Sequence, residues 1–109
     1  MTTKTLDAYQ REIMEWRDRQ PFRGEPAYRL LLGVVEEVGE LAHAHLKEES
    51  GIRGTPDEMQ AKARDACGDI LVFLLSYCSA RGWSADEVLR ETWDEVKLRD
   101  WEKNRKTGR

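Results

Sequence analysis

The sequence is short of cysteine and of long apolar runs, and both shortages narrow the classes of protein it can belong to. Cys67 and Cys78 are its two cysteines. They lie about 16 Å apart along one predicted helix at 1.5 Å per residue, too far to bridge each other. Free thiols fit a reducing compartment, and no apolar signal-like stretch follows Met1, so the expected location is the cytoplasm. The longest apolar run starts at Ile70 and is too short to cross a bilayer, so we expect no membrane partner.

An excess of positive charge is also missing. Formal net charge is −3, and the charged residues, 36% of the chain, carry both signs. Such a surface is mixed rather than the polycation that nucleic-acid binding requires, so we expect no nucleic-acid partner. Residues 103–109 are locally basic, and we interpret them as a solvated, flexible tail.

Strand-like alternation is absent, and apolar residues recur at helical spacing throughout the sequence. The pattern predicts helices at about 5–19, 26–49, 56–82 and 85–104. Thr55 and Ser84 each begin a capping box, in which a hydroxyl residue precedes a glutamate by three positions. The predicted fold class is therefore all-α: residues 1–109 form one domain, a four-helix bundle with antiparallel helices.

The second predicted helix is apolar around more than half of its circumference. One of its stripes consists of Leu31, Val34, Val35, Val38 and Ala42. Such a helix should contact neighbours on two sides, and four short helices offer few neighbours within one chain. We therefore expect a second copy to complete the bundle, as a homodimer or homotetramer.

Acidic residues interrupt these apolar helices in two pairs at helical spacing. The pairs are Glu37 with Glu40, and Asp65 with Asp69. Carboxylates are rarely buried without a partner, so two pairs facing each other across antiparallel helices predict a site for Mg²⁺ or Mn²⁺. Gly39 and Gly68 adjoin the acids, and we expect them to permit close approach of the helices.

Two alternatives compete with this interpretation of the acids. They could be solvated and paired with basic residues such as Arg29, Lys47 or Lys62. Glu40 and His43 also spell the Glu-x-x-His element of di-iron bundles. That architecture needs the element twice, and the helical wheel turns His43 towards the polar side, so a surface histidine is favoured.

Other residues with chemical potential are predicted to be structural. Trp93 is in register with Leu89 and Val96, which predicts a core position, and both cysteines are expected to be small core residues. Trp101 lies among charged residues and is a candidate for stacking on a base or for a subunit contact.

Two segments resemble the MazG-like, all-α nucleoside triphosphate pyrophosphohydrolases. That family has Glu-x-x-Glu on one helix and Glu-x-x-Asp on the next. Glu36-Glu37-Val-Gly-Glu40-Leu-Ala matches the first half, and Gly68-Asp69 with the apolar run after it matches the end of the second. The sequence departs from the family at Ala66, where the second glutamate is expected, and Asp65 is the candidate substitute.

The resemblance implies hydrolysis of a nucleoside or deoxynucleoside triphosphate to a monophosphate and pyrophosphate, with Mg²⁺ or Mn²⁺ as cofactor. Its implied metal ligands are Glu37, Glu40, Asp65 and Asp69. Glu36 and Glu37 are the candidate catalytic residues, and Glu36 either ligates the metal or accepts a proton from the attacking water. The candidate substrate contacts are Lys97, Arg99 and Arg105 for the phosphates and Trp101 for the base. The first alternative is a non-catalytic relative that binds a nucleotide or a partner protein, because Ala66 weakens the metal site.

Overall fold

The chain is helical, as the sequence predicts. A computed structural model describes residues 3–52, 54–103 and 105–106, and within them it contains four helices and no strand. The helices are α1 (Leu6–Asp18), α2 (Ala27–Ser50), α3 (Pro56–Ala80) and α4 (Ala85–Val96). No helix in this described part is long and apolar enough to cross a membrane.

Side-chain caps define where three of the helices begin. The hydroxyl oxygens of Thr5, Thr55 and Ser84 accept hydrogen bonds from the backbone N–H groups three residues ahead, at 3.1 to 3.2 Å. Each bond satisfies one of the free donors of a helix N-terminus. The two predicted capping boxes thus have their hydroxyl half in place. At the other end of α2, Gly51 takes a left-handed conformation with φ 66° and closes the helix.

Helices α2 and α3 form an antiparallel hairpin that contains the largest helix contact of the described chain. Gly33, near the start of α2, faces Phe73, near the end of α3. A Cβ atom at Gly33 would lie 2.5 Å from Cε1 of the Phe73 ring, so only glycine allows this approach. The expectation that Gly39 and Gly68 bring the helices together is wrong, because a Cβ atom there would meet no described atom within 4 Å.

Helix α1 is fixed to the α3–α4 region by buried polar contacts. Gln10 donates from Nε2 to the Trp83 carbonyl oxygen (2.8 Å) and to Ser79 Oγ (3.0 Å), and its Oε1 accepts from the Ala85 N–H (2.9 Å). Every polar atom of this buried amide is therefore used.

Arg17 forms the second polar contact between α1 and α3. Its Nε donates to Ser76 Oγ at 2.7 Å, and its guanidinium lies 5.4 Å from the Phe73 ring centroid. Burial lowers the pKa of Arg17, while the carboxylate of Glu25, 3.6 Å away, opposes that shift. These directional contacts fix the orientation of α1 on the hairpin.

Helix α4 is shorter than predicted, and its apolar side is not core. It ends at Val96 instead of near residue 104, a position that lies outside the described residues. Leu98, just beyond the helix, is 79% exposed, and Trp93 is 57% exposed, so the core assignment of Trp93 is wrong. A short helix needs a packing surface to be stable, and no described element covers these side chains.

Apolar side chains are also exposed on α2 and α3. On the hairpin, α2 packs against α3 and against no other described helix. The stripe predicted on α2 is consequently open to solvent at Leu31, Val35 and Val38. Cys67 is exposed as well, and Cys78 is half-buried, so the prediction of a core position is wrong for Cys67.

Candidate functional site

An acidic cleft of about 670 Å³ lies between α2 and α3. The antiparallel arrangement brings residues 36–47 of α2 alongside residues 59–69 of α3. Four carboxylates from the two predicted clusters line the cleft: Glu36, Glu40, Asp65 and Asp69. The structure therefore brings together the acidic residues that the sequence singles out.

Glu37, the fifth acid, lies beside the cleft without lining it. Its Oε2 atom is buried and has no hydrogen-bond partner among the described residues. Burial raises the pKa of the Glu37 carboxyl, and the negative charges of Asp69, Glu40, Glu36 and Asp65 raise it further, in that order. The same four carboxylates that line the cleft thus act on Glu37 through space.

The acids are not neutralised by neighbouring basic side chains. Within the described part of the chain, no ion pair within 4.0 Å joins any of these five carboxylates to a lysine, arginine or histidine. Salt bridges from Arg29, Lys47 or Lys62 were one half of the alternative explanation of the acids, and the described residues contain none of them. The other half, solvation, agrees with the exposure of Glu36, Glu40 and Asp65. The acidic end of the cleft therefore carries negative charge that no ion pair neutralises, and a bound cation would stabilise it.

Ala66 and Asp65 differ in depth. Ala66, at the position where a glutamate is expected, is 4% exposed and forms part of the cleft floor. Asp65 is exposed at the rim, where it also borders a shallow depression with Arg64 and Gly68. The carboxylate of Asp65 is therefore accessible to a cation, but it approaches from the rim instead of from the floor.

The carboxylates of the cleft are the right type of ligand for a hard cation, but their side chains must move to coordinate one. Carboxylate oxygens are the ligands that Mg²⁺ and Mn²⁺ prefer, and beside the cleft the Oε2 of Glu37 is buried without a hydrogen-bond partner among the described residues. No three aspartate, glutamate, histidine or cysteine side chains of the described residues stand close enough together to hold one ion. Cation binding therefore requires rotation of side chains such as those of Glu40 and Asp65, which are exposed.

The candidate substrate contacts near the C-terminus do not line the cleft. Lys97 pairs with Asp94 at 2.9 Å, Arg99 pairs with Glu95 at 3.7 Å, and Arg105 pairs with Glu102. Trp101 is exposed. None of the four is among the described residues that line the cleft, so within one copy of the chain they do not meet the acids.

Basic residues share the cleft with the acids; the sequence identified Lys47 and Lys62 only as salt-bridge partners and placed His43 on the polar side of α2. His43, Lys47 and Lys62 line the end of the cleft nearer to the α2–α3 loop, although the helical wheel turned His43 away from the acids. Their spacing carries the signal: His43 and Lys47 follow Glu40 by three and seven residues, and Lys62 precedes Asp65 by three. Residues at these intervals share one face of a helix.

Comparison of the chain with protein-family models, with curated proteins and with solved structures finds no match. The chemistry of the cleft is therefore inferred from its own side chains. These are carboxylates at one end, amines and an imidazole at the other, and the small or apolar residues Gly39, Ala44, Met59 and Ala66 between them.

Proposed function

We propose that the chain is a MazG-like, metal-dependent hydrolase that converts nucleoside or deoxynucleoside triphosphates to the monophosphate and pyrophosphate. One observation carries the proposal: four carboxylates from α2 and α3 line one cleft, the carboxylate of Glu37 lies beside it, and among the described residues none of the five forms an ion pair with a basic side chain. Carboxylates withdrawn from solvent are normally paired, and the partly buried Glu37 and Asp69 form no ion pair among the described residues. A cluster that stays unpaired at the mouth of a cavity is better explained by a bound cation.

The charge of the cleft limits the substrate class. A triphosphate is strongly negative, and it would be repelled by these acids unless divalent cations bridged them. A metal-complexed polyphosphate matches both the acids and the basic end of the cleft. A neutral or cationic substrate would leave Lys47 and Lys62 without a role.

Each acid has a proposed task. Glu37, Glu40 and Asp69 would hold Mg²⁺ or Mn²⁺, with Asp65 in place of the glutamate that Ala66 lacks. The bound cation would neutralise phosphate charge and lower the pKa of an attacking water. Glu36 is exposed and lines the cleft, so its carboxylate is free to accept a proton from that water. The water oxygen would bond to the α phosphorus as pyrophosphate departs with the bridging oxygen.

The test is release of pyrophosphate from a panel of ribo- and deoxynucleoside triphosphates with Mg²⁺, with Mn²⁺ and with EDTA. We expect metal-dependent release that falls at least about 100-fold in Glu40→Gln, a loss of about 2.7 kcal/mol of transition-state stabilisation. Glu48→Gln is the matched control, because Glu48 belongs to the same helix and does not line the cleft.

Two results would contradict the proposal. Equal rates for Glu40→Gln and Glu48→Gln would remove the cleft from the reaction. Metal-dependent binding of triphosphates without turnover across the panel would favour the non-catalytic alternative, in which Ala66 has weakened the metal site. Circular dichroism of each variant reports whether its helices remain intact.

We further propose that the enzyme works in the cytoplasm as a homodimer or homotetramer. The support is the open stripe on α2, exposed at Leu31, Val35 and Val38, together with exposed Tyr28 on α2 and exposed Leu71 on α3. Large apolar patches rimmed by polar residues are typical of protein interfaces. Sedimentation velocity at micromolar concentration tests this point, and a monomer at every concentration would contradict it.

A further inference from the structure

Negative and positive side chains occupy opposite ends of the cleft. On α2 the carboxylates of Glu36 and Glu40 come first, and Lys47 follows about 10 Å beyond Glu40 at 1.5 Å per residue. The antiparallel α3 repeats the order, because Asp69 and Asp65 lie beside these acids and Lys62 lies one turn farther towards the loop. Negative charge is therefore concentrated at one end and positive charge at the end near the α2–α3 loop.

The two lysines are available to a ligand. Neither Lys47 nor Lys62 forms an ion pair within 4.0 Å in the described part of the chain. Lys47 is half-buried and Lys62 is exposed at the rim, so both amines border the cavity. Lysines beside an acidic cluster would ordinarily pair with it. Here the two kinds of charge are separated along the cleft.

Such a separation selects a ligand that itself has two parts. The acids attract a divalent cation and the phosphates bound to it. The lysines attract a phosphate that extends past the cation and keeps its own negative charge, which an ammonium binds as a point charge. A nucleoside offers no comparable charge to this end of the cleft.

We infer, on the premise of the proposed function, that Lys47 and Lys62 bind the terminal phosphate of the substrate. The leaving pyrophosphate then lies towards the α2–α3 loop, and the nucleoside lies on the Glu36 and Asp69 side of the acids. The basic residues after α4 are not needed for this role, since Lys97, Arg99 and Arg105 each have an acidic partner of their own.

The experiment is titration calorimetry of the full chain with inorganic pyrophosphate in Mg²⁺, and separately with the four deoxynucleoside monophosphates. Lys47→Gln and Lys62→Gln should each raise the Kd of pyrophosphate about tenfold, as loss of one charged hydrogen bond predicts. The Kd of any monophosphate that binds should change less than about twofold. Lys4→Gln is the matched control, because Lys4 lies before α1 and pairs with Glu12.

Pyrophosphate affinity that is unchanged in both cleft variants would overturn the inference, and so would an equal loss of monophosphate affinity. Turnover of wild-type protein separates this result from the proposed function. If the protein hydrolyses triphosphates but binds pyrophosphate equally well without the lysines, the proposed function stands and the proposed orientation of the substrate is rejected. If pyrophosphate binding depends on the lysines but no triphosphate is hydrolysed, the proposed role of the lysines stands and the proposed reaction is rejected.

Discussion

Replacement of Gly33 by alanine tests the approach of α2 and α3 that forms the cleft. The added Cβ atom would lie 2.5, 2.7 and 2.8 Å from three carbons of the Phe73 ring. Carbon atoms pack at about 3.5 to 4.0 Å, so the ring or the helix must move by about 1 Å. The Arg17 guanidinium, 5.4 Å from the ring centroid, opposes that movement.

Two opposing effects set the expected magnitude. Overpacking of a close contact costs about 1 to 3 kcal/mol, while alanine gains about 1 kcal/mol over glycine inside a helix. Gly33→Ala should therefore lower the free energy of unfolding by about 1 kcal/mol. Gly68→Ala is the matched control, because its Cβ atom meets nothing within 4 Å among the described residues, and it should raise the same quantity by about 1 kcal/mol.

Thermal unfolding followed by circular dichroism measures the difference. A domain of this size shifts its Tm by about 4 °C or more per kcal/mol, so the two variants should melt at least about 8 °C apart. Gly33→Ala combined with Phe73→Leu should recover part of the loss, as expected for residues in contact. A Gly33→Ala protein as stable as Gly68→Ala would refute the described packing of the hairpin.

Two further predictions concern buried polar groups. The folded-state pKa of Glu37 is raised above its ordinary value, so its ionised form destabilises the fold above that pKa, and the loss is relieved as pH falls through it. Metal-free protein should therefore gain Tm as pH is lowered from neutral towards the ordinary pKa of a glutamate, and Glu37→Gln should raise Tm at neutral pH and flatten this dependence. A steady fall of wild-type Tm over that range would contradict the prediction. Ser76→Ala removes the acceptor of Arg17 Nε and should lower the free energy of unfolding, measured in urea, by about 1 to 3 kcal/mol. Ser79→Ala should lower it less, because Gln10 still donates to the Trp83 carbonyl oxygen. Equal losses of stability in the two variants would contradict this account.

The parts of the fold that local chemistry decides could be predicted from the sequence. Thr5, Thr55 and Ser84 identify helix starts because a hydroxyl capping bond involves residues only three apart. The acids were also identifiable as a group. Glu40 and Asp65 share the cleft because the helical period and a short connection determine which faces of a hairpin meet.

The wrong predictions concern contacts between residues far apart in the sequence, which the helical spacing of apolar residues does not reveal. Gly33 shares a helical face with Leu30 and Ala44, and Gly39 lies about 120° away from it, but only the position of Phe73 on α3 shows that the close approach occurs at Gly33. Trp93 has the spacing of a core residue, but no described element covers it. An apolar pattern specifies which face of a helix seeks a partner and does not specify whether the same chain supplies one.

All the acids and bases of the cleft belong to one helical hairpin, residues 27–80, whose connecting loop is short. Closing a short loop costs little chain entropy, and contacts between neighbouring elements form early and fast in folding. We therefore expect the cleft to be assembled by the first tertiary contacts that the chain makes. Helices α1 and α4 add no residue to its lining, so changes in them can alter stability and assembly while the chemistry of the cleft stays the same.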